Sequence, residues 1–260
     1  RELVDFAEKQ LTSFYSDCHI EKVPDYNIFL PDSKVAGCYM RFTDSYSYPI
    51  KTYNRLNSDP LNPIVNALSK LESNEGAAIQ ILIRPVHGHW QKRGRALAAS
   101  KYTTKKSHGF SWYNPLQWIS ALFELFISHD SKQAPPEQSK VTPITDEEVK
   151  AIEEKNSKPG YETIIRIVAA SNTLKNAHLH VVNIRSAFAQ FTFSNLNSFV
   201  YTRFHNTRAL VKNFIFRRFR NPFTNWPLFL IGRGKMILSS EELASIYHLP
   251  HIAYNKSSHI

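Results

Sequence analysis

Acidic side chains are missing from two long stretches of this chain. Residues 163–240 hold no Asp or Glu but eleven Lys and Arg, and residues 76–123 hold none against seven basic residues. Their absence removes the usual general acids and bases from nearly half the sequence and leaves surfaces whose natural complement is an anion. No catalytic reaction can be read from such a distribution. Cysteine is scarce: Cys18 and Cys38 are the two present, which excludes a disulfide scaffold, builds no zinc site unaided, and reads as a pair of reduced thiols. Long apolar runs are also absent, since none reaches the roughly 18 to 20 residues of a membrane span. The nearest candidate, residues 115–127, carries Leu116, Trp118, Ile119, Leu122 and Phe126 but is broken by Gln117 and Glu124. It reads as a core or docking helix, or as one lying at a membrane interface with Trp112, Tyr113 and Trp118 at headgroup depth. There is no signal-peptide pattern. A phosphate-binding loop is missing too, because Gly232-Arg-Gly-Lys235 lacks both the spacing and the magnesium-holding hydroxyl, and reads as a hairpin turn.

What is present is basic and large enough to bury a core. The 260 residues are 42% hydrophobic and carry a net charge of +10 with an isoelectric point near 9.5, which suits one large domain or two small ones and favours nucleic acid or an anionic membrane face over small acidic substrates. Nine carboxylates crowd into residues 124–162, between the two basic blocks. His87-Gly-His89 and His178-Leu-His180 invite a metal reading. The second pair falls in a predicted helix, where a two-residue step turns the rings about 200° apart, and no Cys or carboxylate at ligand spacing completes either site. Neither pair has the Ser or Thr two positions on that two-histidine phosphoesterases require.

Periodicity predicts a first helix with Leu3, Phe6, Ala7, Leu11 and Phe14 on one face, then short strands over 18–23, 37–43 and 50–53. Asp59-Pro60 opens a helix burying Leu61, Ile64, Val65, Leu68 and Leu71. The Ile-rich run 77–84, closed by Pro85, suits a central strand packed on both faces, and a basic helix should follow over 89–106. Residues 128–145, with Pro135, Pro136 and Pro143, read as a linker, and Thr145 with Glu148 as the capping box of a short charged helix. Beyond the Pro159-Gly160 turn come a strand over 161–170, a helix burying Leu174, Ala177, Val181, Ile184, Phe188 and Phe191, and a strand over 197–204. Ser239-Ser-Glu-Glu242 is a second capping box, opening a helix through Leu243, Ile246 and Tyr247. The two parts rhyme, each with an Ile-rich strand before a long helix. The expected fold is therefore α+β, two ferredoxin-like sheet-plus-helix halves (1–127 and 159–260) joined by a flexible linker and short charged helix over 128–158.

The densest basic and aromatic interleaving is Asn213-Phe-Ile-Phe-Arg-Arg-Phe-Arg220, preceded by Arg203, Arg208 and Lys212. On a helix Leu210, Val211, Phe214 and Ile215 form a core-facing stripe while Arg208, Lys212 and Arg217 point elsewhere. Core packing explains these aromatics without a ligand; base stacking with phosphate contacts is the functional alternative. The Ile-rich strands do not offer the sheet-face aromatics of an RNA-recognition domain.

Several stretches together resemble the N-terminal, pre-motor region of bacterial type IV secretion and conjugative DNA-transfer ATPases related to the FtsK and HerA pumps, as found in candidate-phylum bacteria. They are Arg1-Glu-Leu-Val4, Glu21-Lys-Val-Pro-Asp-Tyr26, Tyr48-Pro-Ile-Lys-Thr-Tyr53, Asp59-Pro-Leu61, Ile79-Gln-Ile-Leu-Ile-Arg-Pro85 before Trp90, Ile165-Arg-Ile-Val-Ala-Ala170, Phe188-Ala-Gln-Phe191 with Asn195-Leu-Asn-Ser-Phe199, and Leu238-Ser-Ser-Glu-Glu-Leu-Ala244 with Tyr247-His-Leu-Pro250. None is a catalytic signature, and the insertion 101–158 departs from the pattern. The resemblance implies membrane-spanning segments before Arg1, a nucleotide-binding motor after Ile260, a homo-oligomer in the full-length protein and a place at the cytoplasmic face of the bacterial membrane. The chain would then be a non-catalytic accessory module without a cofactor, binding DNA or a neighbouring subunit. Its candidate contact residues are Arg93, Arg95, Lys105, Lys106, Arg217, Arg218 and Arg220, each meeting a phosphate rather than a base. The alternative is a protein-interaction or membrane-surface scaffold with no nucleic-acid contact.

Overall fold

A twelve-residue strand, Gly160–Ser171, organises the molecule, and nearly every residue in it is buried. Its run of Ile, Val and Ala is what a strand covered on both faces requires. The computed structural model describes residues 2–16, 18–23, 26–102, 143–203, 206–220 and 235–249. In chain order the described elements are α1 (Glu2–Phe14), β1 (Lys34–Phe42), α2 (Leu61–Leu68), β2 (Gly76–Pro85), α3 (His89–Tyr102), α4 (Pro143–Ser157), β3 (Gly160–Ser171), α5 (Leu174–Ala187), β4 (Phe199–Arg203), α6 (Thr207–Ile215), β5 (Ile237–Ser239) and α7 (Ser240–Ile246), with 3-10 turns at Tyr53–Arg55 and Phe188–Phe191. The fold is α+β.

All strands join one antiparallel sheet in the order β2-β3-β1-β4. β2 pairs with Tyr161 through Ala170 on one side of β3, so β5, which pairs with Gly160 to Glu162, lies in line with β1 on the other side. Strands from before and after 128–158 therefore alternate within a single sheet. This corrects the expectation of two separate sheet-plus-helix halves: the two Ile-rich strands hydrogen-bond to each other, Ile79 opposite Ile167 and Ile81 opposite Ile165, so neither builds its own core. It also makes β2 an edge strand rather than a central one.

Alternation along the strands assigns the two faces. Ala36, Cys38, Met40 and Phe42 of β1 with Ile165, Ile167 and Ala169 of β3 pack against α2, α5, the 188–191 turn and Ile246 of α7. On the opposite face Tyr39, Ile164 and Val168 meet Leu210 and Phe214 of α6, with Ile28 and Phe29 alongside. Gly37 allows that approach, because a Cβ there would lie 2.7 Å from the Ile167 carbonyl oxygen and 2.9 Å from Leu210. A third cluster, Ala98, Val149, Ala151, Ile152 and Leu196, joins α3 and α4 to the segment before β4. Among the described residues no helix is long and apolar enough to cross a membrane.

Several local expectations shift. Residues 18–23 form no strand, and 50–53 lead into a 3-10 turn instead. α4 begins at Pro143, two residues before its expected cap. The apolar face of α1 is formed but uncovered, with Leu3, Phe6 and Phe14 each more than half exposed. Residues 128–142 of the expected linker, the apolar segment 115–127 and the glycines of the expected hairpin around Gly232 lie outside the described residues, and Pro143 to Thr145 belong to α4.

Two buried charge clusters tie the layers together. Lys155 of α4 meets Glu242 of α7 at 3.1 Å with both side chains 1% exposed. Glu242 also accepts from the Ile50 amide at 2.9 Å and closes the expected Ser239–Glu242 capping box. Burial pushes the Lys155 ammonium below its ordinary range against the pull of Glu242. Glu75, at the start of β2, accepts from Ser171 at 2.6 Å and meets His180 of α5 at 2.7 Å. Burial would raise the Glu75 carboxyl, but these hydrogen bonds hold it below its ordinary 4.5.

Removing one member of a buried pair strands the other, so Glu242→Ala should lower unfolding free energy by about 3–5 kcal/mol in urea titration. For Glu75 the folded value lies below the unfolded one. Its contribution is fully present above about pH 4.5 and is lost as pH falls through the folded value. Glu75→Gln should therefore be less stable at neutral pH and show a shallower loss of stability on acidification, checked by thermal melts across pH 2.5–6.

Candidate nucleic-acid interface

Arg166 stands in the middle of β3 and is fully buried. It faces Gln80 of β2 and Tyr39 of β1 in register, and Gln80 and Arg166 are the single polar residues of the runs 79–83 and 164–168. Among the described residues no carboxylate meets the Arg166 guanidinium. Nη1 donates to Gln80 Oε1 at 2.6 Å and to the Asn213 carbonyl at 3.2 Å, and Nη2 donates to the Arg218 carbonyl. The Tyr39 ring lies 5.3 Å from the guanidinium carbon, and Nε is without a partner. The compensation for a buried cation thus comes from carbonyl oxygens at the C-terminal end of α6, where the helix dipole is negative, and from a ring face. Gln80 Nε2 adds a bond to the Phe214 carbonyl at 3.0 Å, and Asn213 Nδ2 one to Tyr39 Oη at 3.2 Å.

These donors hold the end of α6 in a defined turn. The Arg217 amide bonds the Phe214 carbonyl at 3.1 Å and the Arg218 amide bonds the Asn213 carbonyl at 3.0 Å, the paired bonds of a Schellman motif. Arg217 occupies its left-handed position with φ 47°. Glycine is the usual residue there, and an L side chain costs about 1–2 kcal/mol. Arg217, Arg218 and Arg220 are all exposed, Phe216 is exposed, and Phe219 tucks back towards the sheet. Arg84 lies over the Phe219 ring at 4.4 Å while bonding Glu162 through both Nε and Nη2, at 3.0 and 2.7 Å.

The expected site residues divide accordingly. Arg217, Arg218 and Arg220 converge on this one turn. Arg93 and Arg95 are exposed on α3, with Arg93 5.6 Å from the Tyr46 ring. Tyr46 packs with the cluster on the other sheet face, and no described contact joins α3 to the α6 turn. Lys105 and Lys106 lie outside the described residues. Parts of the first basic block are neutralised by the acidic stretch that follows it, since Lys101 pairs with Glu148 and Arg84 with Glu162. Ile215, expected in the core, is 54% exposed, because α6 turns Leu210, Asn213 and Phe214 inward. Arg166, Gln80, Tyr39 and Asn213 were missed as a group, although a lone Arg in an otherwise apolar buried strand is itself a signal that acceptors must surround it.

Among the described residues Cys38, His178, His180, Asp59 and His248 are already engaged or buried. Burial pushes the Cys38 thiol up to about 11 despite nearby Arg185, so it stays protonated at neutral pH. Among the described residues no three His, Cys, Asp or Glu gather as metal ligands. His178 bonds the Leu174 carbonyl while His180 turns to Glu75, as helical spacing requires. A cavity of about 590 Å³ beside Asp59 and His248 holds that pair at 3.0 Å, with Asp59 also accepting from the Leu61 amide at the start of α2.

Comparison with known proteins gives one match. The model of a family described as Domain of unknown function (DUF8128) fits residues 2–259. No curated protein and no solved structure matches the chain.

Arg217→Gly should relieve the left-handed strain and raise Tm by roughly 2–4 °C. The same substitution should weaken binding to a polyanion and reduce the slope of log K against log salt by about 1. Calorimetry and a salt series on one preparation check both.

Proposed function

We propose that this chain, which belongs to the family Domain of unknown function (DUF8128), is a non-catalytic module that grips the DNA backbone through the turn at the end of α6. The observation that carries this reading is the turn itself. Three exposed arginines stand on a backbone anchored from beneath by buried Arg166, and one of them occupies a position that stability alone would give to glycine. Guanidinium groups carried on an anchored backbone, in a carboxylate-free segment, complement phosphate and would position the ligand without reading bases. Arg93 and Arg95 on α3 offer a second, separate contact, and Lys105 and Lys106 belong to the same basic block.

The resemblance to type IV secretion and conjugative DNA-transfer ATPases supplies the setting. In it the module sits beside the motor domain of the same protein, in a homo-oligomer at the cytoplasmic face of the bacterial membrane. The strand order β2-β3-β1-β4, with β1-α2-β2 and β3-α5-β4 as two interlocked split units, favours one ferredoxin-like unit with α3 and α4 inserted between β2 and β3, rather than two. A second reading, a scaffold meeting protein or lipid, draws on α1. Its exposed Leu3, Phe6 and Phe14 form an unpartnered apolar face, and Asp5 and Glu8 favour a basic protein over an anionic membrane.

Fluorescence-anisotropy titration of the chain with DNA across a salt series tests the proposal. The wild type should show salt-sensitive binding, and the triple variant R217A/R218A/R220A should bind more weakly with a salt slope reduced by about 2–3. No binding of DNA by the wild type at low salt would overturn the proposal and favour the scaffold.

A further inference from the structure

The same turn carries two phenylalanines with opposite fates. Phe219 packs among the sheet-face residues under the Arg84 guanidinium, so it accounts for the apolar anchoring the turn needs. Phe216 is 62% exposed, yet it is held: its amide bonds the carbonyls of Lys212 and Phe214 as the cap of α6. The Arg218 guanidinium carbon lies 5.3 Å from its ring centroid. A large apolar ring that stands mostly in solvent, on an anchored backbone and beside the Arg218 guanidinium, contributes little to the core and is open to a flat partner. Unpaired bases present such a face, whereas in a duplex the base faces are already stacked and only edges and phosphates are reachable.

Resting on the DNA-binding reading of this turn, we infer that it selects single-stranded over duplex DNA, with Phe216 stacking on an unpaired base while Arg217, Arg218 and Arg220 hold the neighbouring phosphates. Arg218 fixes the ring from one side by a cation–π contact and leaves the other side to the base. Phenylalanine has no hydrogen-bonding group, so the contact tolerates any base. The inference separates the roles of two residue types on one turn. The arginines set affinity for any polyanion and its salt dependence, and the ring sets the preference for exposed bases.

The test measures affinity of the full chain at one salt concentration for three ligands: a thymidine oligomer, an abasic oligomer with the same number of phosphates, and a duplex of the same length. Wild type should bind the thymidine oligomer about 5- to 100-fold more tightly than the abasic one. Phe216→Ala should lose that advantage while its affinity for the abasic oligomer and the duplex stays unchanged, and Phe216→Trp should restore it. Equal loss on all three ligands would show that Phe216 serves only the fold of the turn and would overturn the inference. So would a wild type that binds thymidine and abasic oligomers alike. If that wild type still loses duplex binding in the R217A/R218A/R220A variant, the backbone-grip reading stands and the stacking role falls. No binding to any of the three overturns both.

Discussion

A charge on a strand covered from both sides must be met where it stands, and Arg166 is met by the carbonyl oxygens of a helix end rather than by an acid. This choice shapes much of what surrounds it. The helix that supplies the carbonyls has to lie across the sheet face with its C-terminus over β3, and Gly37 removes the side chain that would hold it away. Gln80 must stand opposite Arg166, and Tyr39 must offer its ring from the other neighbour. A carboxylate partner would have cancelled the cation inside the core. Carbonyls instead leave the guanidinium's charge in place beneath the turn and spend its donors on backbone, which fixes that backbone's shape.

The remaining buried charges follow a more familiar logic and serve different joints. Lys155 with Glu242 fastens α4 to α7 and to the segment before the 3-10 turn at 53–55, with the capping box of α7 using the same carboxylate. Glu75 with Ser171 and His180 fastens the start of β2 to the end of β3 and to α5. Each joins elements far apart in sequence. Such pairs add little net stability over apolar residues of similar volume, but breaking one leaves an uncompensated group and penalises wrong arrangements. They are therefore best understood as fixing how the layers meet.

At the surface one turn departs from what local stability would choose. A glycine at 217 would relax the backbone, a polar residue in place of exposed Phe216 would cost the core little, and the sequence has arginine and phenylalanine at those positions. Departures from local preference collect where an element has work other than folding. The acidic stretch has the complementary part: Glu148 and Glu162 take up Lys101 and Arg84 of the first basic block.

Much of the local structure was determined by the sequence alone. The Ile-rich strands, the capping box at Ser239, the Asp59-Pro60 helix start and the outward-facing Arg208 and Lys212 all follow from short-range physics: periodicity, propensity and caps within a few residues. Where short segments lacked such signals, as at 18–23 and 50–53, strand was expected and none formed. The rest required tertiary structure because it depends on pairing across long separations. Two similar strand-helix patterns are equally compatible with two small sheets or one shared sheet, and only hydrogen bonding between β2 and β3 decides the matter. The basic blocks were legible as charge, but charge in sequence does not say which arginine is buried, which is neutralised and which is held outward. Register placed Arg166 against Gln80, helix packing brought the Asn213 and Arg218 carbonyls to it, and that long-range satisfaction of one buried cation turned a run of basic and aromatic residues into a shaped surface.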